Sequence, residues 1–325
     1  MSAPATVVVC THDRPDYLRT CLDSLGAQSA ALPVLVVDSA SPPEAATRIA
    51  ALARAAGARL LRLDRPGLSR ARNAALAAVE TGWIAFLDDD ARAEPGWAVA
   101  LAEAIATLPD SAAGLGGRIL PLWEAPCPDW WPPELVPALT VLEWDRPGRL
   151  GDGELPAHVE PYGANMAFRT ASLRDLGGFP ESLGRVGTRL LSAEEAWVIR
   201  RLLRNGHSVH YHPALAVRHS IQAVRLSRDW LLARQYWSGL SEAVMAGSLG
   251  EAAAVRRKAF RMAALLALRT PLLAVRRNGV EGMRLRCSLR FAMGYLRGAA
   301  GLAWSWYEVG RGCPPAGSGA LPARP

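Results

Sequence analysis

The stretch Trp83-Ile84-Ala85-Phe86-Leu87-Asp88-Asp89-Asp90 decides how the rest of the chain is read. Five consecutive apolar residues make a run of strand length, bounded by Gly82 on one side and by polar residues on the other. The run ends without a spacer in three carboxylates. Adjacent carboxylates repel, so three of them at a strand end are costly unless a cation or a set of donors offsets the charge. Hard oxygen ligands of this kind suit Mg2+ or Mn2+, and a site with one or two carboxylates leaves coordination positions for substrate phosphates. Taken alone, the triplet reads equally well as an acidic turn in which Asp90 caps a following helix.

The same pattern repeats on the N-terminal side. Residues 6–10, 34–37 and 59–63 are short apolar runs that read as strands. Between them lie helical spacing at Tyr17, Leu18, Cys21, Leu22 and Leu25, and predicted helices over 42–56 and 68–80, closed by Gly57 and Gly82. Such alternation marks βα units feeding a mostly parallel sheet with flanking helices. Each strand runs into a polar loop, which places the loops on the carboxyl edge where open α/β sheets bind ligands. Asp38, at the end of the second strand, is positioned to cap the next turn or to accept from a ligand.

Toward the C-terminus the pattern predicts a helix over 95–106 and a strand over 112–120. It then dissolves over 121–161 into Pro, Gly and Trp, including Trp123, Trp130, Trp131 and Trp144. Long irregular segments in compact domains are usually functional or mobile. Regular structure returns at 162–168, followed by a helix over 193–203 and strand-like pieces at 208–211 and 214–217. Helical pattern runs from 226 nearly to 308, and the Gly/Pro-rich residues 310–325 read as a disordered tail. The domains expected from this are 1–224, an α/β unit; 225–310, a helical extension; and the tail 311–325.

With 50% hydrophobic and 21% charged residues the chain has a globular composition, which excludes general disorder. Its net charge of +7 is unevenly placed. Residues 1–250 hold 24 Lys and Arg against 27 Asp and Glu, while residues 251–300 hold 11 against 2. The five cysteines include no Cys-x-x-Cys, which argues against a disulfide framework or a zinc site and fits a reducing compartment. No apolar run is long enough to span a bilayer, and residues 1–10 lack the basic and long apolar regions of a signal peptide. A cytoplasmic protein is expected.

Glu194-Glu195 opens the predicted helix over 193–203. Neighbouring helical residues point about 100° apart, so only one of the two is expected to face a given site. Both also suit a helix N-terminus as favourable charge on its dipole.

In order along the chain, these pieces resemble the family-2 glycosyltransferases of GT-A fold. The run from Val7 to Leu18, with Thr11-His12-Asp13-Arg14, is similar to the family's first strand and loop, and Val36-Val37-Asp38-Ser39 to its second. Gly67-Leu68-Ser69-Arg70-Ala71-Arg72-Asn73 resembles the Gly-x-x-x-Ala-Arg-Asn element, and Asp88-Asp89-Asp90 the Asp-x-Asp metal motif. Gly163-Ala164-Asn165 and Gly177-Gly178-Phe179 resemble the acceptor-side segment, and Glu194-Glu195 stands where Glu-Asp is usual. The resemblance spans residues 6–219.

It implies a GT-A-like, Rossmann-type α/β domain and an inverting, metal-dependent transfer from a nucleotide-sugar donor (UDP-, dTDP- or GDP-linked) to a hydroxyl-type acceptor. Cell-envelope polysaccharide or natural-product glycosylation is the setting it suggests. Thr11, His12, Asp13, Arg14, Asp38, Arg72 and Asn73 would surround the nucleoside side of the donor. Asp88 and Asp90, with His219, would hold Mn2+ or Mg2+ against the diphosphate, and Asp89 would face the sugar or ribose. Glu195 would be the general base, with Glu194 the alternative. Gly163, Asn165, Trp130 and Trp131 would lie on the acceptor side, although tryptophans under a long loop equally fill a core.

The Arg-rich segment 255–297 interleaves cations with Leu, Met, Ala and Phe. It reads either as an amphipathic surface for an anionic membrane, such as the inner face of the plasma membrane, or as helices packing on the α/β domain or in a homo-oligomer. Nucleic acid binding is not expected, because no recognition motif accompanies the cations. Two other functions fit parts of the pattern: a catalytically silent scaffold of the same fold, and a nucleotidyltransferase. The second is disfavoured by a single lysine, Lys258, and the lack of a Gly-rich phosphate loop.

Overall fold

The computed structural model describes residues 3–153, 155–156, 158–185, 190–274 and 279–309. Its first half is the predicted succession of strands β1 (Ala5–Thr11), β2 (Val34–Ser39), β3 (Arg59–Leu63) and β4 (Trp83–Asp88), with helices α1 (Pro15–Gly26), α2 (Pro43–Ala55) and α3 (Leu68–Ala78) between them. These four strands pair in parallel in the order β3-β2-β1-β4. Val7, Val8 and Val9 on β1, with Ile84 and Ala85 on β4, are fully buried, so both sheet faces are covered, as continuous apolar runs in parallel strands require. Each buried Val or Ile side chain contributes about 1.5–3 kcal/mol.

Next come β5 (Ala91–Ala93), α4 (Trp97–Thr107), β6 (Ala112–Trp123), β7 (Gly148–Arg149), β8 (Met166–Arg169), α5 (Thr170–Asp175), α6 (Glu194–Arg204) and β9 (Ser208–Ile221). The sheet continues β4-β8-β6-β9-β5, with β7 on β9. In this half it is mixed rather than parallel. β8 lies antiparallel between β4 and β6, while β6 and β9 are parallel. The direction of β8 follows from the Trp-rich excursion. β6 leaves the sheet at the carboxyl edge, the excursion pairs on its way with the start of β9 through β7, and β8 re-enters at the edge where β6 left. The strand pieces expected at 208–211 and 214–217 form one strand: Pro213 falls in a bulge, where pairing steps from Gly117–His212 to Arg118–Ala216.

The helical extension is α7 (Arg228–Ser248), α8 (Ala252–Arg269) and α9 (Gly279–Val309); Gly250, with φ +79°, ends the first. α7 and α9 meet backbone to backbone. A Cβ on Gly239 would stand 2.0 Å from the Phe291 carbonyl oxygen, and one on Gly294 1.8 Å from that of Tyr236. Trp131, Leu139, Val141, Ile221, Leu231, Met283 and Cys287 form a second core beneath this pair. α8 buries only Val255 and leaves Phe260, Leu268 and, beyond its end, Leu272 exposed. Among the described residues no helix is long and apolar enough to cross a membrane. The tail expected over 311–325 lies outside the described residues.

Candidate active site

A cavity of about 490 Å³ lies over the carboxyl edge of the sheet. β1 and its loop supply Cys10, Thr11, His12 and Arg14; β4 and the turn after it supply Asp88 and Asp90; α3 supplies Arg72; the start of α6 supplies Glu194 and Glu195. β9 adds His219, and α7 closes the cavity with Arg234, Ser238 and Ser241. The expected boundary at 224/225 falls within a short 3-10 turn, Ala223–Leu226, and residues from both sides of it line the same space.

The three aspartates divide by direction. Asp89 points into the protein, fully buried, where its Oδ2 accepts from Thr11 Oγ1 at 2.7 Å and its other oxygen pairs with Arg14. Burial pushes its carboxyl up to about 7 against the pull of Arg14. It ties the first loop to the end of β4 and does not line the cavity. Asp90 accepts at Oδ2 from Arg14 Nη1 (2.8 Å) and Arg225 Nη2 (3.2 Å), and its Oδ1 lies 3.3 Å from His219 Nε2. Burial would raise its pKa, but His219 and the two guanidiniums outweigh it and hold the group well below the usual carboxylate range. Asp88 keeps 31% of its side chain exposed to the cavity.

One ligand atom from each of Asp88, Asp90 and His219 lies within 4.8 Å of the others. His219 Nδ1 is buried with no hydrogen-bond partner. Two carboxylates and an imidazole, one ring nitrogen unsatisfied, fit a divalent cation.

On the opposite wall Arg72 organises the carboxylates. α3 begins after Gly67, whose φ of +147° a side chain would rarely tolerate. Arg72 is 1% exposed, and its guanidinium lies 5.8 and 5.3 Å from the ring centres of Phe86 and Phe179. Its Nη1 donates to Glu194 Oε1 (3.0 Å) and Glu195 Oε1 (3.1 Å), and its Nη2 is 3.8 Å from Asp88. The expectation that only one glutamate could face the site is therefore corrected: both line it, because the guanidinium sits at the mouth of α6 between them. Glu194 is buried and its Oε2 has no partner; burial, then Glu195, push its carboxyl up to about 7 although Arg72 opposes. Glu195 keeps 18% of its side chain exposed and is the carboxylate that a ligand can reach.

The other expected residues divide between the cavity and its supports. Gly163 is at the cavity wall, where a Cβ would stand 2.1 Å from Arg72 Nη2 and 2.5 Å from Glu195 Oε1. Asp38 accepts from the Ser41 amide (2.9 Å) and pairs with Arg62 (2.5 Å), while the amide of Asp13 donates to Ser41 Oγ (2.9 Å). Both shape the loops under His12 without lining the cavity. Asn73 exchanges two hydrogen bonds with the backbone of Phe179 (2.8 and 2.7 Å). Asn165 accepts from Trp97 Nε1 (3.0 Å) and donates to the carbonyls of Arg118 (3.1 Å) and Leu215 (2.7 Å) across the bulge. Trp131 belongs to the second core, with Trp130 packed against it, and neither lines the cavity.

Sequence reading did not single out Arg185, Arg225 or Arg234, all cavity-lining. None sits in a motif. All three lie outside the Arg-rich segment 255–297, so composition gave no signal for them either.

Residues 6–119 match the family model described as Glycosyl transferase family 2. The glucosyl-dolichyl phosphate glucuronosyltransferase of Haloferax volcanii is 34% identical over 164 residues, covering 50% of each chain. The pre-mycofactocin glycosyltransferase of Mycobacterium tuberculosis is 28% identical over 241 residues, covering 72% of this chain and 46% of that one. The chain thus spans about half the length of the curated relatives it matches. A mannosyltransferase of Pyrobaculum calidifontis, solved with GDP-Man and Mn2+, shares the fold with a TM-score of 0.51 at 16% identity, over 98% of this chain and 77% of that one. S. aureus TarS 1-349 with UDP does so at 0.51 and 17%, over 95% and 92%.

Proposed function

We propose that this chain, a family-2 glycosyl transferase of GT-A-like fold by its residues 6–119 and its architecture, moves a sugar from a nucleoside-diphosphate donor to a hydroxyl acceptor with inversion. One observation carries the reading: a single buried guanidinium holds Glu195 on one wall of the cavity and stands beside Asp88 on the other. The nucleoside lies along Thr11, His12 and Ser39, and the diphosphate against Asp88, Asp90 and His219, which would hold Mn2+ or Mg2+. Bound there, the cation supplies Lewis-acid stabilisation of the charge that builds on the departing diphosphate. Glu195 takes the proton from the acceptor hydroxyl as its oxygen attacks the anomeric carbon. The bond to the diphosphate breaks with its electron pair on the leaving oxygen, and one displacement inverts the centre. Fold neighbours solved with GDP-Man and Mn2+ and with UDP support this donor class.

Glu195→Gln should keep nucleotide-sugar binding, read as a thermal shift with UDP-, dTDP- and GDP-sugars and Mn2+, while transfer falls about 10²–10⁴-fold. Wild-type transfer by this variant together with loss in Glu194→Gln would move the base to Glu194. No shift with any nucleotide sugar would favour a binding scaffold.

The exposed face of α8 and the turn after it, with Phe260, Leu268 and Leu272 among Arg256, Arg257, Arg261 and Arg269, supports a second reading: the enzyme rests on an anionic membrane surface.

A further inference from the structure

Three arginines meet on the wall of the cavity beside Glu194 and Glu195, and the transfer step above uses none of them. Arg225, 7% exposed, bonds Asp90 through Nη2 and has Nη1 at 3.4 Å from His219. Arg234, on α7, donates from Nη1 to the Leu190 carbonyl (3.2 Å) and Ser192 Oγ (3.1 Å), and its Nε is buried without a partner. Arg185 follows Gly184, where a Cβ would lie 3.5 Å from the Glu194 carboxyl carbon. Among the described residues neither Arg185 nor Arg234 forms an ion pair with a carboxylate.

Cations drawn together in a concave, largely desolvated wall repel one another, and the arrangement is relieved when an anion bridges them. Guanidiniums are suited to this role because their planar forks bind carboxylate and phosphate oxygens in pairs. The position identifies which reactant brings the anion. Arg234 bonds Ser192, two residues before Glu194, and Arg185 follows Gly184, which stands against the Glu194 carboxyl, so these two sit by the base, whereas Arg225 is engaged with Asp90 and His219. Resting on the reading of Glu195 as the base, we propose that Arg185 and Arg234 form a subsite for an acidic group, phosphate monoester or carboxylate, carried by the acceptor.

The test is calorimetric titration of the full chain with inorganic phosphate and, separately, with malonate, each with and without saturating UDP and Mg2+. Phosphate or malonate should bind equally well in both conditions. Arg185→Gln and Arg234→Gln should each raise the Kd for that anion at least tenfold while leaving the UDP Kd within twofold. Exclusion of the anion by UDP would assign the arginines to the donor diphosphate and overturn the proposal. So would displacement by UDP-glucuronate but not UDP-glucose, which would assign them to the transferred sugar. Wild-type anion affinity in both variants, or no binding of either anion, also overturns it. Failure of UDP to bind would sink the nucleotide-sugar reading by itself; the anion titrations of the two variants would still decide the subsite.

Discussion

Glu194 and Glu195 share one nitrogen of Arg72, at 3.0 and 3.1 Å, and both line the cavity, but Glu195 is the more open of the two, 18% exposed against 2%. The buried partner carries a titration consequence. Glu194 has its carboxyl raised to about 7, so its contribution to stability is full below the ordinary glutamate range and is lost as pH rises through about 7. Glu194→Gln cannot ionise. Its melting temperature relative to wild type should therefore rise between pH 5 and pH 8, by on the order of 5 °C, in thermal unfolding at the two values. A constant difference would show that Glu194 is already ionised at pH 5. At this scale the sequence was legible where residue type reveals chemistry, as at Asp88, Asp90 and His219. It was not legible at Asp38, Asn73 and Asn165: a polar side chain near a site bonds backbone as readily as ligand, and only its partners distinguish the two.

Three elements converge at Gly163: α3 through Arg72, α6 through Glu195 and the loop that leads into β8. Since a Cβ at Gly163 would overlap both side chains, Gly163→Ala should displace the Arg72–Glu195 pair. Steady-state kinetics should show kcat reduced about 10²-fold with the fold retained in circular dichroism, the scale expected when a catalytic group is misplaced by an ångström. The α7–α9 pair makes the corresponding argument for the extension. Gly294→Leu would force the helices apart, costing about 3 kcal/mol in denaturant unfolding. Because α7 also carries Arg234, the variant should weaken the cavity as well. The sequence predicted helices here, and the break after Gly250 follows from its left-handed backbone. Which helix faces touch was hidden, since Gly239 and Gly294 are far apart in sequence and glycine in a helix reads locally as a weakness.

For the molecule as a whole, the net charge of +7 conceals two surfaces: a mildly acidic first 250 residues and a strongly basic segment 251–300. α8 packs on α7 and α9 through Val255 and exposes Phe260 and Leu268, the face on which the proposed membrane reading rests. In liposome flotation the wild type should rise with phosphatidylserine vesicles and not with phosphatidylcholine, and high salt should reduce the effect. Phe260→Glu with Leu268→Glu should lower the floated fraction at least fivefold; equal flotation of both proteins would remove the membrane reading.

The sequence by itself determined the parallel half of the sheet, the carboxylates at the end of β4, and the helical character of the extension. Those features rest on local periodicity and on residue chemistry, which a linear string preserves. Only the tertiary structure decided that β8 runs antiparallel, that Glu194 and Glu195 share Arg72, and that Arg225 and α7 complete the cavity. These depend on which groups 50 to 150 residues apart are brought together by strand order and helix packing, and neither spacing nor composition encodes that meeting.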